Sequence, residues 1–202
     1  SIFGSPLIEI PTELMSPWQK TTKRLADIIL SFSGLIILSP ILLFIALKVK
    51  RSSKGSIFFL QDRIGLNGKL FSIIKFRSMI ENAENGTPKL SSENDERITT
   101  FGKTMRKYRF DELPQLWNVL KGDMSLVGPR PERAYFIAQI TQTAPQYQLL
   151  QRVKPGITSL GMVKFGYAST LEEMLQRMRY DLLYIENISI QMDIKILIYT
   201  VM

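Results

Sequence analysis

Between Ile28 and Val49 the chain runs for about 22 residues with a single charge, Lys48, near the end. That length meets the requirement of about 20 apolar residues for a membrane helix. Ser39-Pro40 stands in the middle of it. Proline removes a backbone donor and clashes with the preceding turn, so a helix bends there. Both flanks are basic: Lys20, Lys23 and Arg24 before the segment, Lys48, Lys50, Arg51 and Lys54 at its end and beyond. Positive charge favours the cytoplasmic side of a membrane, and a straight span satisfies that at one end only. A helix that enters, breaks at Ser39-Pro40 and leaves on the same face satisfies it at both. The Ser39 hydroxyl is placed to satisfy a carbonyl freed by the break. The expectation is a re-entrant membrane helix over 20–54, with a straight span and a buried soluble helix as the alternatives.

The rest of the composition narrows the chemistry. The 202 residues include no His and no Cys, which excludes imidazole bases, Ser-His nucleophiles, disulfides and thiolate metal sites. Carboxylates, Lys, Tyr and hydroxyls remain. A net charge of +8 points to an anionic partner: nucleic acid, an anionic membrane surface or phosphorylated substrates.

Ser56–Met79 reads as a β-hairpin, with Asn67-Gly68 as a two-residue turn. Alternation along the return strand puts Phe71, Ile73, Lys75 and Arg77 on one face, which makes the two cations either an anion site or a solvated edge. Glu81–Arg97 is a polar, acidic surface loop. Leu171–Tyr184 has helical periodicity with Thr170 as cap. Ile185–Met202 reads as an amphipathic helix, lying at a membrane interface or packed beneath the re-entrant one. Lys164, Arg177 and Arg179 are expected to attract anionic lipids.

The stretch Arg106-Lys107-Tyr108-Arg109-Phe110-Asp111-Glu112-Leu113-Pro114-Gln115-Leu116-Trp117 carries the most chemistry. Leu113, Leu116, Trp117 and Leu120 fall at helical spacing, and Gly122 is a stop, so a helix is expected to start near Asp111. In one reading Asp111 is the N-cap and Glu112 a favourable first-turn charge. In the other, Pro114 deprives the cap of one donor and leaves the carboxylate free to act beside a phosphate, as a nucleophile screened by a metal or arginines. Further on, Arg130 is held between Pro129 and Pro131, which restricts its backbone and suits a bidentate phosphate clamp or a rigid solvated loop.

Four segments in order carry a resemblance: Lys75-Phe76-Arg77-Ser78-Met79, Asp111 to Val119, Gly122 to Pro131, and Lys154-Pro155-Gly156-Ile157-Thr158. The chain resembles the monotopic phosphoglycosyl transferases, bacterial sugar transferases that act on polyprenyl phosphate. The likeness runs from about Lys23 to the C-terminus. It implies an α+β, mainly helical fold with a re-entrant helix broken at Ser39-Pro40, a small β-hairpin and amphipathic interfacial helices. It implies a ping-pong reaction: Asp111 attacks the β-phosphate of a UDP-sugar, UMP leaves, and a polyprenyl phosphate then takes the phosphosugar. It makes Asp111 and Glu112 the catalytic acids and the ligands of Mg²⁺, with Glu112 as metal ligand or base. Lys75, Arg77, Arg106, Arg130, Pro131 and Asp181 would contact substrate. After Thr158 the run Ser159-Leu160-Gly161-Met162 departs from the usual Gly followed by Gln, which bears on the choice of sugar or nucleotide.

The expected organisation is a lead-in over 1–19 from an upstream region of a larger protein, the membrane helix over 20–54, and a catalytic domain over 55–202. The resemblance places the protein at the cytoplasmic face of the bacterial inner membrane, in glycoconjugate assembly, with no nucleic-acid partner and a homo-oligomer left open. Two rivals stand beside it: a nucleotide-sugar hydrolase using the same carboxylates, and a basic nucleic-acid or membrane-binding module.

Overall fold

The computed structural model describes residues 14–80, 90 and 95–201. The first thirteen residues of the lead-in and most of the acidic 81–97 loop lie outside them.

The chain opens with two helices, α1 (Pro17–Ile37) and α2 (Ser39–Ser52), bent by 63° at the Ser-Pro step. Pro40 sits in the first turn of α2, where its missing N–H leaves no helical bond unmade. Ser39 Oγ donates to the Ile36 carbonyl at 2.7 Å, the local repair the sequence called for. Among the described residues no single helix is long and apolar enough to cross a membrane; this bent pair passes that test only together. Its apolar side chains are turned outward: Ile29, Phe32, Ile37, Leu43 and Phe44 are all more than half exposed.

The polar residues of α1 fasten it to the rest. Lys23 pairs with Asp193 and donates to the Val127 carbonyl, Arg24 donates to the Val119 and Leu120 carbonyls, and Asp27 accepts from the Leu126 N–H. Gly34 lets Leu116 approach closely; a Cβ there would stand 3.3 Å from Leu116 Cδ1.

The hairpin is β1 (Phe58–Ile64) against β2 (Leu70–Phe76), antiparallel, with Phe59 opposite Lys75 and Arg63 opposite Phe71. The connection is not the expected two-residue turn. It is a short 3-10 turn, Leu66–Gly68, closed by Gly65 and Lys69 bonds, with Asn67 and Gly68 both at positive φ. Beyond it come α3 (Thr100–Lys107), α4 (Gln115–Lys121), β3 (Ser125–Val127), α5 (Ala134–Thr143), β4 (Gly156–Thr158), α6 (Leu160–Lys164), α7 (Leu171–Glu186) and α8 (Ile190–Val201). β3 and β4 pair in parallel. Gly128 and Gly156 cross so closely that a Cβ on Gly156 would meet Gly128 N at 2.1 Å.

The main core lies among α5, the turn after it, α7 and α8, around Phe136, Ile140, Tyr147, Met178 and Ile196. Thr170 and Glu173 form a reciprocal cap that starts α7 where periodicity put it. α8 packs against α6, β3 and β4 and is tied to α1 by one ion pair: Asp193 is buried, bound by Lys23 and by the Tyr184 hydroxyl at 2.6 Å, while Ile194 and Ile198 face outward. The fold is mainly helical with small two-stranded sheets.

Candidate active site

Asp111 does not cap a helix. α3 ends at Lys107, Arg109 takes the left-handed conformation (φ 57°), and Phe110–Glu112 form one 3-10 turn. The helix expected from Asp111 begins at Gln115, with Pro114 at its N-cap, and stops at Gly122 (φ 97°). Non-glycine residues at positive φ cost about 1–3 kcal/mol and persist where surrounding structure holds them. Here the Arg109 guanidinium lies over the Tyr167 ring, 5.4 Å from its centroid. The strained turn drives Asp111 and Glu112 inward, and both are buried.

They open onto a cavity of about 420 Å³. The hairpin supplies Phe59, Gln61, Arg63 and Lys75, the α3 end supplies Arg106, and the loop after β3 supplies Arg130, Glu132 and Arg133. Among the described residues, seven cations line the cavity (Arg63, Lys75, Arg77, Arg106, Arg130, Arg133, Arg177) against three carboxylates (Asp111, Glu112, Glu132). Such an excess, enclosed by protein, favours an anionic ligand.

The two adjacent acids have different surroundings. Glu112 Oε1 accepts from Lys75 Nζ at 2.8 Å and from Arg130 Nη2 at 3.4 Å. Burial alone would raise its pKa; the Lys75 and Arg130 charges more than offset that and hold the carboxyl far below its usual range. Burial lowers the Lys75 pKa, against the pull of Glu112. Arg130, despite its burial, is held above its ordinary value by Glu112 and Glu132. Asp111 Oδ1, by contrast, is buried and without a hydrogen-bond partner among the described residues. Burial raises the Asp111 pKa, with Lys75 opposing and Glu112 reinforcing. A bare, poorly solvated carboxylate beside fixed cations is equipped to attack an electrophile that brings negative charge.

Arg77 and Arg106 border the same space. Arg77 Nη2 donates to the Ser53 carbonyl at 2.7 Å, which ties the hairpin to the end of α2, while its Nε and Nη1 are buried and unpartnered among the described residues. Arg106 Nε donates to Ser78 Oγ at 2.9 Å. Asp181 and Pro131 lie behind Arg130 instead of on the cavity wall. Asp181 accepts from the Gly161 N–H at 2.8 Å and from the Arg130 N–H at 3.4 Å, so it fixes the backbone that carries Arg130. Burial raises its pKa, partly countered by the Gly161 bond. The Pro131 carbonyl accepts from Arg63 at 3.1 Å.

Arg177 is a correction. It was expected to meet lipid; it is 6% exposed, paired with Glu132 at 2.6 Å, and lines the cavity from α7. Helical periodicity makes Met174, Met178, Asp181 and Arg177 neighbours on the inward face, and the apolar members were the available signal. Arg63, Gln61, Glu132 and Tyr167 also went unread. Tyr167 lies under both Arg109 and Arg130, at 5.4 and 5.9 Å.

The chain matches the bacterial sugar transferase family over residues 18–202. Among curated relatives it is 43% identical over 202 residues to a UDP-glucose:undecaprenyl-phosphate glucose-1-phosphate transferase of Klebsiella pneumoniae, covering 99% of this chain and 43% of that protein. It is 40% identical over 188 residues to a UDP-N-acetylgalactosamine-undecaprenyl-phosphate N-acetylgalactosaminephosphotransferase of Aeromonas hydrophila, covering 93% and 44%. An exopolysaccharide production protein of Rhizobium leguminosarum bv. phaseoli is 38% identical over 185 residues, covering 89% and 92%. The chain belongs to the bacterial sugar transferase family. It spans less than half the length of the first two of these relatives.

Proposed function

We propose that this cavity transfers a sugar-1-phosphate from a UDP-sugar to a polyprenyl phosphate such as undecaprenyl phosphate, through a phosphosugar covalently held on Asp111. The observation that carries the reading is Asp111 itself, which lines a cavity rich in cations and keeps one carboxylate oxygen, Oδ1, buried and without a hydrogen-bond partner among the described residues. The relatives' named activities supply the substrate class.

In the first half, an Asp111 oxygen attacks the β-phosphorus. The bond from that phosphorus to the oxygen bridging the two phosphates breaks, and UMP leaves with the bridging oxygen. The sugar phosphate remains as an acyl phosphate on Asp111. In the second half, a phosphate oxygen of the polyprenyl phosphate attacks the same phosphorus. The bond to Asp111 breaks, the carboxylate returns, and the lipid carries the diphosphate-linked sugar. Neither half requires a proton shuttle of the carboxylates, which fits a chain without His. Arg130 and Lys75 stabilise charge on the transferring phosphoryl group and cancel its repulsion of Asp111. Glu112 stays ionised between them and acts by holding both in place.

Mg²⁺ fits this donor set as an ion shared with substrate. Among the described residues no cluster of three acids exists that could cage a metal by itself. Mg²⁺ is commonly held by one or two carboxylates together with substrate phosphates, and Asp111 and Glu112 would be those carboxylates here. When bound, the ion supplies neutralisation of the diphosphate charge.

The bent pair α1–α2 enters the cytoplasmic leaflet of the bacterial inner membrane and returns. Its outward apolar side chains, its repaired break and its basic flanks support this. α8, tied to α1 through the Lys23–Asp193 pair, would lie at the interface.

The test is UMP release by detergent-solubilised protein supplied with UDP-sugars and Mg²⁺. The reading predicts about one UMP per protein without lipid acceptor and sustained release with undecaprenyl phosphate. Sustained release without acceptor would mark a hydrolase.

A further inference from the structure

Arg63 and Arg177 have no part in the scheme above, yet both border the cavity. They come from different elements, β1 and α7, and meet at one carboxylate. Glu132 Oε2 accepts from Arg63 Nη1 at 3.2 Å, and Oε1 accepts from Arg177 Nη2 at 2.6 Å. Glu132 is itself fixed, because its carbonyl accepts from the Ile64 N–H at 3.0 Å and the preceding Pro131 carbonyl accepts from Arg63. With both oxygens engaged, Glu132 is a brace and not a proton carrier.

Cations outnumber acids around this brace, with Arg63, Arg130 and Arg177 against Glu132 and Asp181, the latter lying near Arg177. Arg130 neighbours it as a third cation, but its own ion pair is with Glu112, which Lys75 shares. Arg63 Nη2 donates to Gln61 Oε1 at 2.5 Å, and Arg63 Nε is buried and without a partner among the described residues. Two guanidiniums that share one carboxylate on a cavity wall retain donors for a further acceptor, and a phosphate, which accepts two or more N–H bonds, is the ligand suited to them.

The hairpin register relates this cluster to the reacting centre. Phe59 pairs with Lys75 and Arg63 with Phe71, so Phe59, Gln61, Arg63 and Lys75 share one sheet face. Lys75 reaches Glu112 beside Asp111, and Arg63 stands four residues along β1 from the position opposite Lys75. That is about 13 Å at the usual strand rise, a distance two long cationic side chains bridge in part. The face thus presents two anion-binding ends to one elongated ligand.

We propose that Arg63 and Arg177, braced by Glu132, form a second subsite that binds a phosphate monoester: the phosphate of UMP in the first half-reaction and that of the polyprenyl acceptor in the second. The inference rests on the proposed function and assigns it a second site. Displacement at phosphorus places attacking and leaving oxygens in line. The acceptor oxygen therefore arrives from the side that UMP leaves, and one subsite serves both esters.

UMP itself is the probe, titrated calorimetrically into purified full-chain protein with Mg²⁺. Arg63→Gln and Arg177→Gln are each expected to weaken UMP binding about tenfold, the worth of a lost charge-assisted contact. Glu132→Gln keeps the shape but removes the competing charge, and is expected to tighten UMP binding severalfold. These opposite signs separate a ligand site from a structural brace: if Glu132 served only packing, all three variants would weaken UMP together. Unchanged UMP affinity in Arg63→Gln, or weakened affinity in Glu132→Gln, overturns the proposal. If Arg177→Gln does not fold, Arg63→Gln and Glu132→Gln decide it. Wild-type protein that forms no phosphosugar adduct overturns the underlying function; an adduct together with unchanged UMP affinity in Arg63→Gln overturns the subsite alone.

Discussion

Lys75 Nζ lies 2.8 Å from Glu112 Oε1, so the acid next to Asp111 is neutralised from the hairpin before any substrate arrives. This pair separates two adjacent carboxylates into different roles. Glu112 is a fixed anion that holds cations, and Asp111 is a carboxylate with a free buried oxygen.

Lys75→Met removes one of the two charges that keep the buried Glu112 ionised. Breaking one partner of a buried pair costs about 3 kcal/mol, less whatever Arg130 retains. Thermal unfolding should show a clear drop at neutral pH. The Glu112 pKa is depressed on folding, so its stabilisation is complete above its ordinary value of 4.5 and is lost as pH falls below that value. Wild type should therefore lose stability on acidification and converge toward Lys75→Met. A constant gap between the two curves down to strongly acid pH would contradict the pairing.

The Asp111 pKa is raised by burial and restrained by Lys75. Only the ionised form attacks, so UMP release should fall on the acid side at a pH above the ordinary 3.8. Removing Lys75 takes away the restraint and should move that limb to higher pH. A limb that moves to lower pH in Lys75→Met would contradict the assignment.

Asp181→Asn weakens the bonds to the Gly161 and Arg130 N–H groups without touching the cavity wall. Loss of a buried charge-assisted acceptor is worth about 1.5–3 kcal/mol. The expected result is a kcat/KM reduced about tenfold or more through displacement of Arg130. Kinetics identical to wild type would show that the Arg130 loop needs no such support.

The Ser39-Pro40 break is tested by sidedness. Cysteines at Leu25 and Lys50 in sealed vesicles should react with an impermeant thiol reagent from the same side. Labelling from opposite sides would establish a span and remove the re-entrant reading.

How far the chain could be read depended on whether the signal was local. The proline break, the Thr170 cap, the Gly122 stop and the Asp111-Glu112 pair are each written within a few residues. Register was not. Taking Asn67-Gly68 as a two-residue turn would pair Leu66 with Lys69, whereas the observed ladder pairs Ile64 with Leu70. That slip of one residue exchanges the faces of β1 and puts Leu60 and Asp62 on the face of Lys75, where the structure has Phe59, Gln61 and Arg63. Only the observed register puts Arg63 on the cavity face. Asp111 was expected at a helix start because the leucine spacing runs back to Leu113, but the left-handed Arg109 and Pro114 impose a 3-10 turn first. Arg177 was assigned to lipid because a basic residue is ordinarily exposed, and its partner Glu132 lies 45 positions away. Long-range pairing of charges leaves no mark in local pattern.

The central claim is the covalent intermediate, and the most direct measurement is the intact mass of purified protein after incubation with UDP-sugars and Mg²⁺ in the absence of lipid acceptor. The account predicts a mass gain of one phosphosugar in wild type, its loss on addition of undecaprenyl phosphate, and no gain in folded Asp111→Asn. An equal adduct in Asp111→Asn, or acceptor-dependent turnover by that variant at the wild-type rate, would contradict it.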